Sequence, residues 1–371
     1  MLSGEMARER RRDTVCLLHG ELYDLKPFER SHPGGQAMLR LAYGRDATEL
    51  FESVHALADR GMLERVLARY KMEREDVHPA DVPRVSSAPA FSWARPTPFA
   101  SELRAEVRAH FEAEAARRGV SVRAASKATP AKWALIGVLC ALYALSAAGW
   151  YAGRAWSLVA LPLCGSAATF NVFHDASHGA LSTSPTVNAL GSLLGFSIAA
   201  PYNWAHQHVI GHHAHTNVPS HDPDYAHVHR WRSMPTWAAC VCLPLIWAVA
   251  VPIGLHVLAP ARLLLTGSYN YMVDGVAMTP LERAEYVLRW LGLLLLSYAW
   301  PFCAFAPVKA LVWAAVPAAI SSVTFMAITQ IAHLTPACAE GAEAGAARRA
   351  HEPSDGCLLY TSDAADEEDS V

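Results

Sequence analysis

The sequence predicts an all-α integral membrane domain of about four transmembrane helices, with a histidine-rich cap on one side of the bilayer, behind a smaller N-terminal module. Three observations carry this expectation. Five apolar stretches, at about 132–152, 155–173, 237–259, 286–306 and 309–331, each approach the ~20 residues a helix needs to cross the hydrocarbon. The chain has 371 residues, of which 52% are hydrophobic, and they are clustered rather than spread. Between the second and third stretches lies a polar segment in which five histidines fall within residues 206–215.

At the N-terminus an Arg-rich opening is followed only by Val15-Cys16-Leu17-Leu18, too short for the core of a signal peptide. The N-terminus is therefore expected to remain cytosolic. The eight cysteines are scattered without a C-x-x-C pair, which suits reduced core or membrane residues.

Residues 13–78 read as the first module. Tyr23-Asp24-Leu25-Lys26-Pro27-Phe28 leads into His32-Pro33-Gly34-Gly35, and a second histidine, His55, follows Phe51-Glu52-Ser53-Val54. A Pro-Gly-Gly turn alone would be only a tight loop. With the second histidine and Gly44-Arg45-Asp46-Ala47-Thr48 between them, the segment resembles the cytochrome b5 domain. That resemblance implies an α+β fold and haem b bound axially by His32 and His55.

Residues 79–98 carry Pro79, Pro83, Pro89, Pro96 and Pro98 and suit a semi-rigid linker. Leu103, Val107 and Phe111 then recur every four residues, which predicts an amphipathic helix over about 100–118. It would lie on the membrane, pack on the following domain, or be an ordinary solvated helix with a narrow apolar stripe.

The histidines carry the chemistry. His174 and His178 stand four apart, as do His208 and His212, so each pair shares a face if helical; His213 lies about 100° further round. A lone histidine is usually a satisfied core or surface residue, but this density points to a metal site, imidazole being a good ligand for iron, copper or zinc. No His-Glu-x-x-His is present, so a zinc protease lacks its general base. Asp175 is better placed to orient a ligand imidazole from outside the metal than to act as a base.

The strings His174-Asp175-Ala176-Ser177-His178, Gln207-His208-Val209-Ile210-Gly211-His212-His213 and His221-Asp222-Pro223-Asp224 resemble the first two histidine boxes of membrane fatty-acyl desaturases. The resemblance implies two irons and O2 acting on an unactivated acyl chain, over a domain at 99–356. It assigns His174, His178, His208, His212 and His213 as ligands, adds His333 in Thr329-Gln330-Ile331-Ala332-His333, and places Gln330 beside them. His206 and His215 have no assigned role in it.

Topology follows from parity. If His333 is to return to the side of His213, an even number of crossings must intervene, yet three apolar stretches do. The stretch holding Pro244 and Pro252 is therefore expected to be a surface or re-entrant element. Short outer turns carry only Arg154 and Lys309, while the opposite side is richer in Lys and Arg, which puts the histidines in the cytosol.

The fusion resembles front-end desaturases, which insert a double bond between an existing one and the carboxyl end of a polyunsaturated chain. It implies a multi-pass enzyme of the endoplasmic reticulum. An acyl-lipid or acyl-CoA would be the substrate, NADH-cytochrome b5 reductase the electron donor and membrane lipid the surroundings, with no nucleic-acid partner. A sphingoid-base desaturase, an acyl hydroxylase or a membrane-anchored electron carrier with an inactive desaturase remnant are the other readings. At the C-terminus, Cys357 to Glu367 resembles a transposase sequencing adapter read in frame, the alternative being a solvated acidic tail. Residues 357–371 are therefore expected to be an artefact; without their acidic groups the formal charge of −3 becomes +2. The family's third box, Gln-x-x-His-His, does not follow His333. The sequence is accordingly expected to be truncated and inactive as it stands.

Overall fold

A computed structural model describes residues 14–79, 82–83, 98–197, 201–216, 222–224, 234–266, 278 and 280–331. His333, most of the Pro-rich linker and the adapter-like string lie outside the described residues.

The N-terminal module is built on a three-stranded antiparallel sheet in the order β1 (Val15–Leu18), β2 (Glu21–Asp24), β3 (Lys71–Met72). Leu18 pairs with Glu21, which leaves His19 and Gly20 as a two-residue turn. Both have positive φ, 51° and 79°, the combination that matches the twist of a tight hairpin. All of β1 is buried because the module covers both its faces. Cys16 and Leu18 face Leu25, Leu39 and Ala47, whereas Val15 and Leu17 face Leu22 and Val77. Burial pushes the Cys16 thiol up to about 12, so it stays a neutral core group.

Three short helices, α1 (Gln36–Arg40), α2 (Thr48–Val54) and α3 (Arg60–Leu67), close over the sheet. The Asp59 carboxylate caps α3 by accepting from the Met62 amide at 2.6 Å. Two buried carboxylates tie the module together. Glu29 accepts from Lys26 and from Arg40, both at 2.6 Å, and Glu52 is paired with Arg60 and with His19 at 2.9 Å. Burial alone would raise both carboxyls, but these donors outweigh it and lower them.

The predicted amphipathic helix is present as α4 (Pro98–Arg118), with Phe111 and Ala115 buried and Arg108 donating to the Leu57 carbonyl of the first module. Among the described residues, five helical segments are long and apolar enough to cross a membrane. They are Val122–Tyr151, Ser157–Ser177, Trp237–Thr266, Pro280–Ala304 and Pro307–Gln330. The first contains α5 (Pro130–Tyr151), capped by the Thr129 hydroxyl with Pro130 at its first position. It packs on α6 (Ser157–Ala168), which packs in turn on α9 (Pro307–Ile331). At the far end of this bundle the Trp150 and Trp313 indoles each donate to the other's backbone carbonyl, at 3.1 and 3.2 Å.

The stretch with Pro244 and Pro252 is helical throughout. Helix α7 (Thr236–Ile253) runs through both prolines and continues through a wider π turn, Gly254–Leu258, to Thr266. The span Trp237–Thr266 is 30 residues long and apolar enough to cross a membrane by length and composition. The fourth span, beginning with α8 (Pro280–Leu293), has a similar π turn at Leu294–Ala299.

The N-terminal module sits on the histidine-bearing segment. Leu50 of α2 is buried with Val209 and Ile210, flanked by Met38 and Leu41. Arg123 donates to the Pro33 carbonyl at 2.8 Å and to that of Thr183 at 3.1 Å. Gly35, at φ +91°, approaches Pro185 so closely that a Cβ would stand 3.2 Å from its ring.

Candidate functional site

The clustered histidines lie on two π-helical turns, Thr169–His174 and Ala205–His213, with His178 just beyond the first. In such a turn residues five apart come into register, where α-helical geometry aligns residues three or four apart. His208 and His213 accordingly meet, with their Nε2 atoms 2.8 Å apart. The α-helical spacing assumed from sequence had put them on different faces. Single ligand atoms of His174, His178, His208 and His213 all lie within 4.8 Å of one another, and His208, His212 and Asp224 form a second such group. His208 belongs to both. Two cations sharing one wall of imidazoles fit this donor set, whose softness suits iron or another first-row metal.

The five described histidines expected as ligands are thus brought together. His206 turns away, its Nδ1 bonded to the Tyr202 carbonyl at 2.8 Å, and His215 points its Nδ1 at the Gly211 carbonyl, 3.2 Å away. Gln330 is buried near the end of α9. Burial, reinforced by the neighbouring histidines, holds His208 well below its ordinary value, so the neutral imidazole that a metal needs is the stable form.

Carboxylates orient the rings. Asp222, fully buried, accepts from His212 Nδ1 at 3.0 Å, and Asp224 accepts from Gln207 at 2.9 Å. Asp175 Oδ1 stands 3.6 Å from His174 Nδ1, while its Oδ2 is paired with Lys132 at 3.1 Å. Sequence reasoning missed Asp222 and Asp224 as site residues. The signal was the pair of acids around Pro223, which becomes meaningful once Gly211 is seen to lie under that proline. A Cβ on Gly211 would come within 2.7 Å of the Pro223 ring, so only glycine lets the acidic segment close on the histidine turn.

An aromatic layer floors the histidines. Trp204 stacks on His208 at 4.1 Å and donates to the Ser177 hydroxyl at 3.0 Å, with Phe173 and Phe325 packed beneath. On the other side of Phe325 lies a cavity of about 150 Å³, lined mainly by apolar and aromatic groups including Tyr143, Trp150, Tyr298 and Trp313. It ends at the paired tryptophans, deep in the helix bundle.

In the N-terminal module the His32 and His55 rings face each other with centroids 6.3 Å apart. Two metal–nitrogen bonds of about 2 Å each plus the ring radii come to roughly 6 Å, so the gap fits one iron held from both sides. Each Nδ1 is anchored on backbone, His32 to the Gly35 carbonyl at 3.0 Å and His55 to that of Phe51 at 2.8 Å, which leaves Nε2 as the ring nitrogen that could take a metal. Burial lowers both imidazoles and keeps them neutral.

Comparison with known proteins bears on both sites. Residues 148–358 match the family model "Fatty acid desaturase", and residues 5–72 match "Cytochrome b5-like Heme/Steroid binding domain". Among curated relatives, Delta(5) fatty acid desaturase A of Dictyostelium discoideum is 31% identical over 214 residues, 57% of this chain and 43% of the relative. The chloroplastic acyl-lipid (7-3)-desaturase of Chlamydomonas reinhardtii is 34% identical over 208 residues, 55% of this chain and 37% of the relative. The acyl-lipid omega-13 desaturase of the same alga is 27% identical over 368 residues, 86% of this chain and 72% of the relative. The chain thus spans less than half the length of the first of these relatives. No solved structure gives a significant match.

Proposed function

Because this chain belongs to the fatty acid desaturase family and carries an N-terminal haem-binding module of the cytochrome b5 type, we propose that it is the donor-fused form of a front-end acyl desaturase. The observation that carries the reading is the convergence of His174, His178, His208 and His213 beside a second group of His208, His212 and Asp224. His333 is proposed as a further ligand. A di-iron pair bound there supplies the O2 activation that removes hydrogen from an unactivated chain.

The protein's own residues do the rest. The buried histidines present neutral imidazoles, and Asp222 fixes the ring of His212 so that Nε2 is the ligand atom. The aromatic layer of Phe173, Trp204 and Phe325 separates the histidines from the cavity beneath, where the methyl end of an acyl chain would be held dry. His32 and His55 would hold haem in the module at 13–78, joined by the linker at 79–98 to the membrane domain at 99–356. That module rests on Val209 and Ile210, so the electron donor and the metal ligands share a short segment of chain.

The substrate in this reading is an acyl-lipid or acyl-CoA carrying a polyunsaturated chain, and the Delta(5) position in the names of two relatives supports insertion on the carboxyl side. Both sites are proposed to face the cytosol from the endoplasmic reticulum, with NADH-cytochrome b5 reductase serving the haem. The test is to feed defined polyunsaturated acids to cells expressing the full-length gene product. A new double bond on the carboxyl side of the existing ones supports the reading. A hydroxylated chain, a desaturated sphingoid base or no product tells against it.

A further inference from the structure

Asp175 presents a physical problem. Its carboxylate is buried, with 5% of its side chain exposed, and a buried carboxylate is costly unless it is paired and hydrogen-bonded. The partner comes from another membrane-spanning helix. Lys132, on the first turn of α5, reaches across to place Nζ 3.1 Å from Asp175 Oδ2 and donates to Asn171 Oδ1 at 3.0 Å. Asn171 is itself fixed, its amide donating to the Ala167 carbonyl at 2.9 Å. Asn171 lies in the same π turn that ends in His174, so the ammonium grips the turn from both sides of its ligand. With Oδ2 taken by Lys132, Asp175 Oδ1 is left facing His174 Nδ1 at 3.6 Å.

The rest of the geometry makes this a clamp rather than an incidental ion pair. Lys132 is only 17% exposed in its side chain, and its own amide is held by the Thr129 hydroxyl at 3.2 Å. The Asp175 carbonyl accepts from Ala180 at 2.7 Å, so the backbone behind the carboxylate is fixed as well. We propose that Lys132 is a positioning residue of the metal centre. It acts through Asp175, holding that carboxylate in place and aimed at His174 Nδ1, which leaves His174 Nε2 as the ligand atom. The inference rests on the metal-centre reading above and extends it to the first transmembrane helix. It also explains the asymmetry between the two boxes. Asp222 reaches its histidine directly, whereas Asp175 stands further off and is held by a cation on its far side.

The test uses the full-length protein in detergent, stripped of non-haem metal, with Co(II) as the probe. Affinity is read by calorimetry and the ligand field by low-temperature electron paramagnetic resonance. Lys132→Met is expected to weaken Co(II) binding about 10- to 100-fold and to alter the resonance of the bound ion, the usual scale for losing an outer partner of a ligand histidine. Lys132→Arg, which keeps the charge and donors, is expected to restore most of the affinity. Asp175→Asn should reproduce the Lys132→Met signal, and the double variant should be no weaker than the single ones. A Lys132→Met protein that binds Co(II) with wild-type affinity and resonance overturns the proposal. If Lys132→Met does not elute as a single species, Asp175→Asn decides: wild-type binding there overturns it equally. A wild-type protein that takes no Co(II) overturns the metal-centre reading and the clamp with it. Tight wild-type binding with an unaffected Lys132→Met removes the clamp alone.

Discussion

The two candidate iron-binding regions hold their histidines in opposite ways. In the haem pocket, His32 and His55 are each anchored through Nδ1 by a neutral backbone carbonyl. At the metal centre, the orienting groups are carboxylates: Asp222 on His212, Asp224 beside it, and Asp175 near His174. Charge explains the difference. A porphyrin brings its own negative charge to the iron, so its axial ligands need only be aimed. Bare cations bound by neutral imidazoles need compensation from outside the ligand set, and buried carboxylates supply it. The two regions therefore differ in which substitutions they tolerate, and each can be broken without the other.

The largest effects come from the ligands themselves. His208→Ala removes the one imidazole common to both metal groups and is expected to cost more than about 100-fold in non-haem metal affinity while leaving the haem spectrum intact. His55→Ala should do the reverse, abolishing the low-spin haem absorbance with Co(II) binding unchanged. If either substitution disturbed both signals, the two centres would not be independent.

The orienting groups come next. Asp222→Asn should weaken Co(II) binding about 10- to 100-fold by calorimetry, and Gly211→Ala should do so nearer the lower limit by pushing Pro223, and with it Asp222, off the histidine turn. The haem pocket has no such carboxylate to lose. Its sensitivity is to acid. Burial depresses His32 and His55 in the folded module, so their contribution to stability is complete above the unfolded value of about 6.5 and is lost as pH falls through the lower folded values. Absorbance followed downward from pH 7 should therefore show haem retained through about pH 6.5 and released only as the pH falls further, toward the lower folded values. Release on raising the pH instead would contradict the sign.

The smallest effect lies where the two regions touch. Ile210→Val trims one methylene from the contact with Leu50 and should cost about 1 kcal/mol in thermal unfolding, with both metal signals preserved. A much larger loss would mean that the N-terminal module depends on its seat to fold.

Much of this contrast was legible in the sequence. The paired histidines around Pro33-Gly34-Gly35 and the dense cluster after residue 205 carry side-chain chemistry that spacing alone exposes. What was not legible depended on backbone geometry. Nothing in Ala205–His213 announces a π turn, so α-helical spacing separated His208 from His213 where the structure joins them. The prolines of α7 marked that stretch as the surface or re-entrant element that parity asked for, and nothing local to them showed that one helix would run through both. The pairings made by Asp222 and Lys132 were not legible for a different reason. One lies ten residues from its histidine, and the other reaches its carboxylate from a separate helix.

The most direct test of the account is the metal inventory of the full-length protein purified after iron loading. Two non-haem irons per haem are predicted, falling to haem alone in His208→Ala. A wild-type protein that carries haem and no non-haem iron would contradict the claim that the histidine cluster is a metal centre.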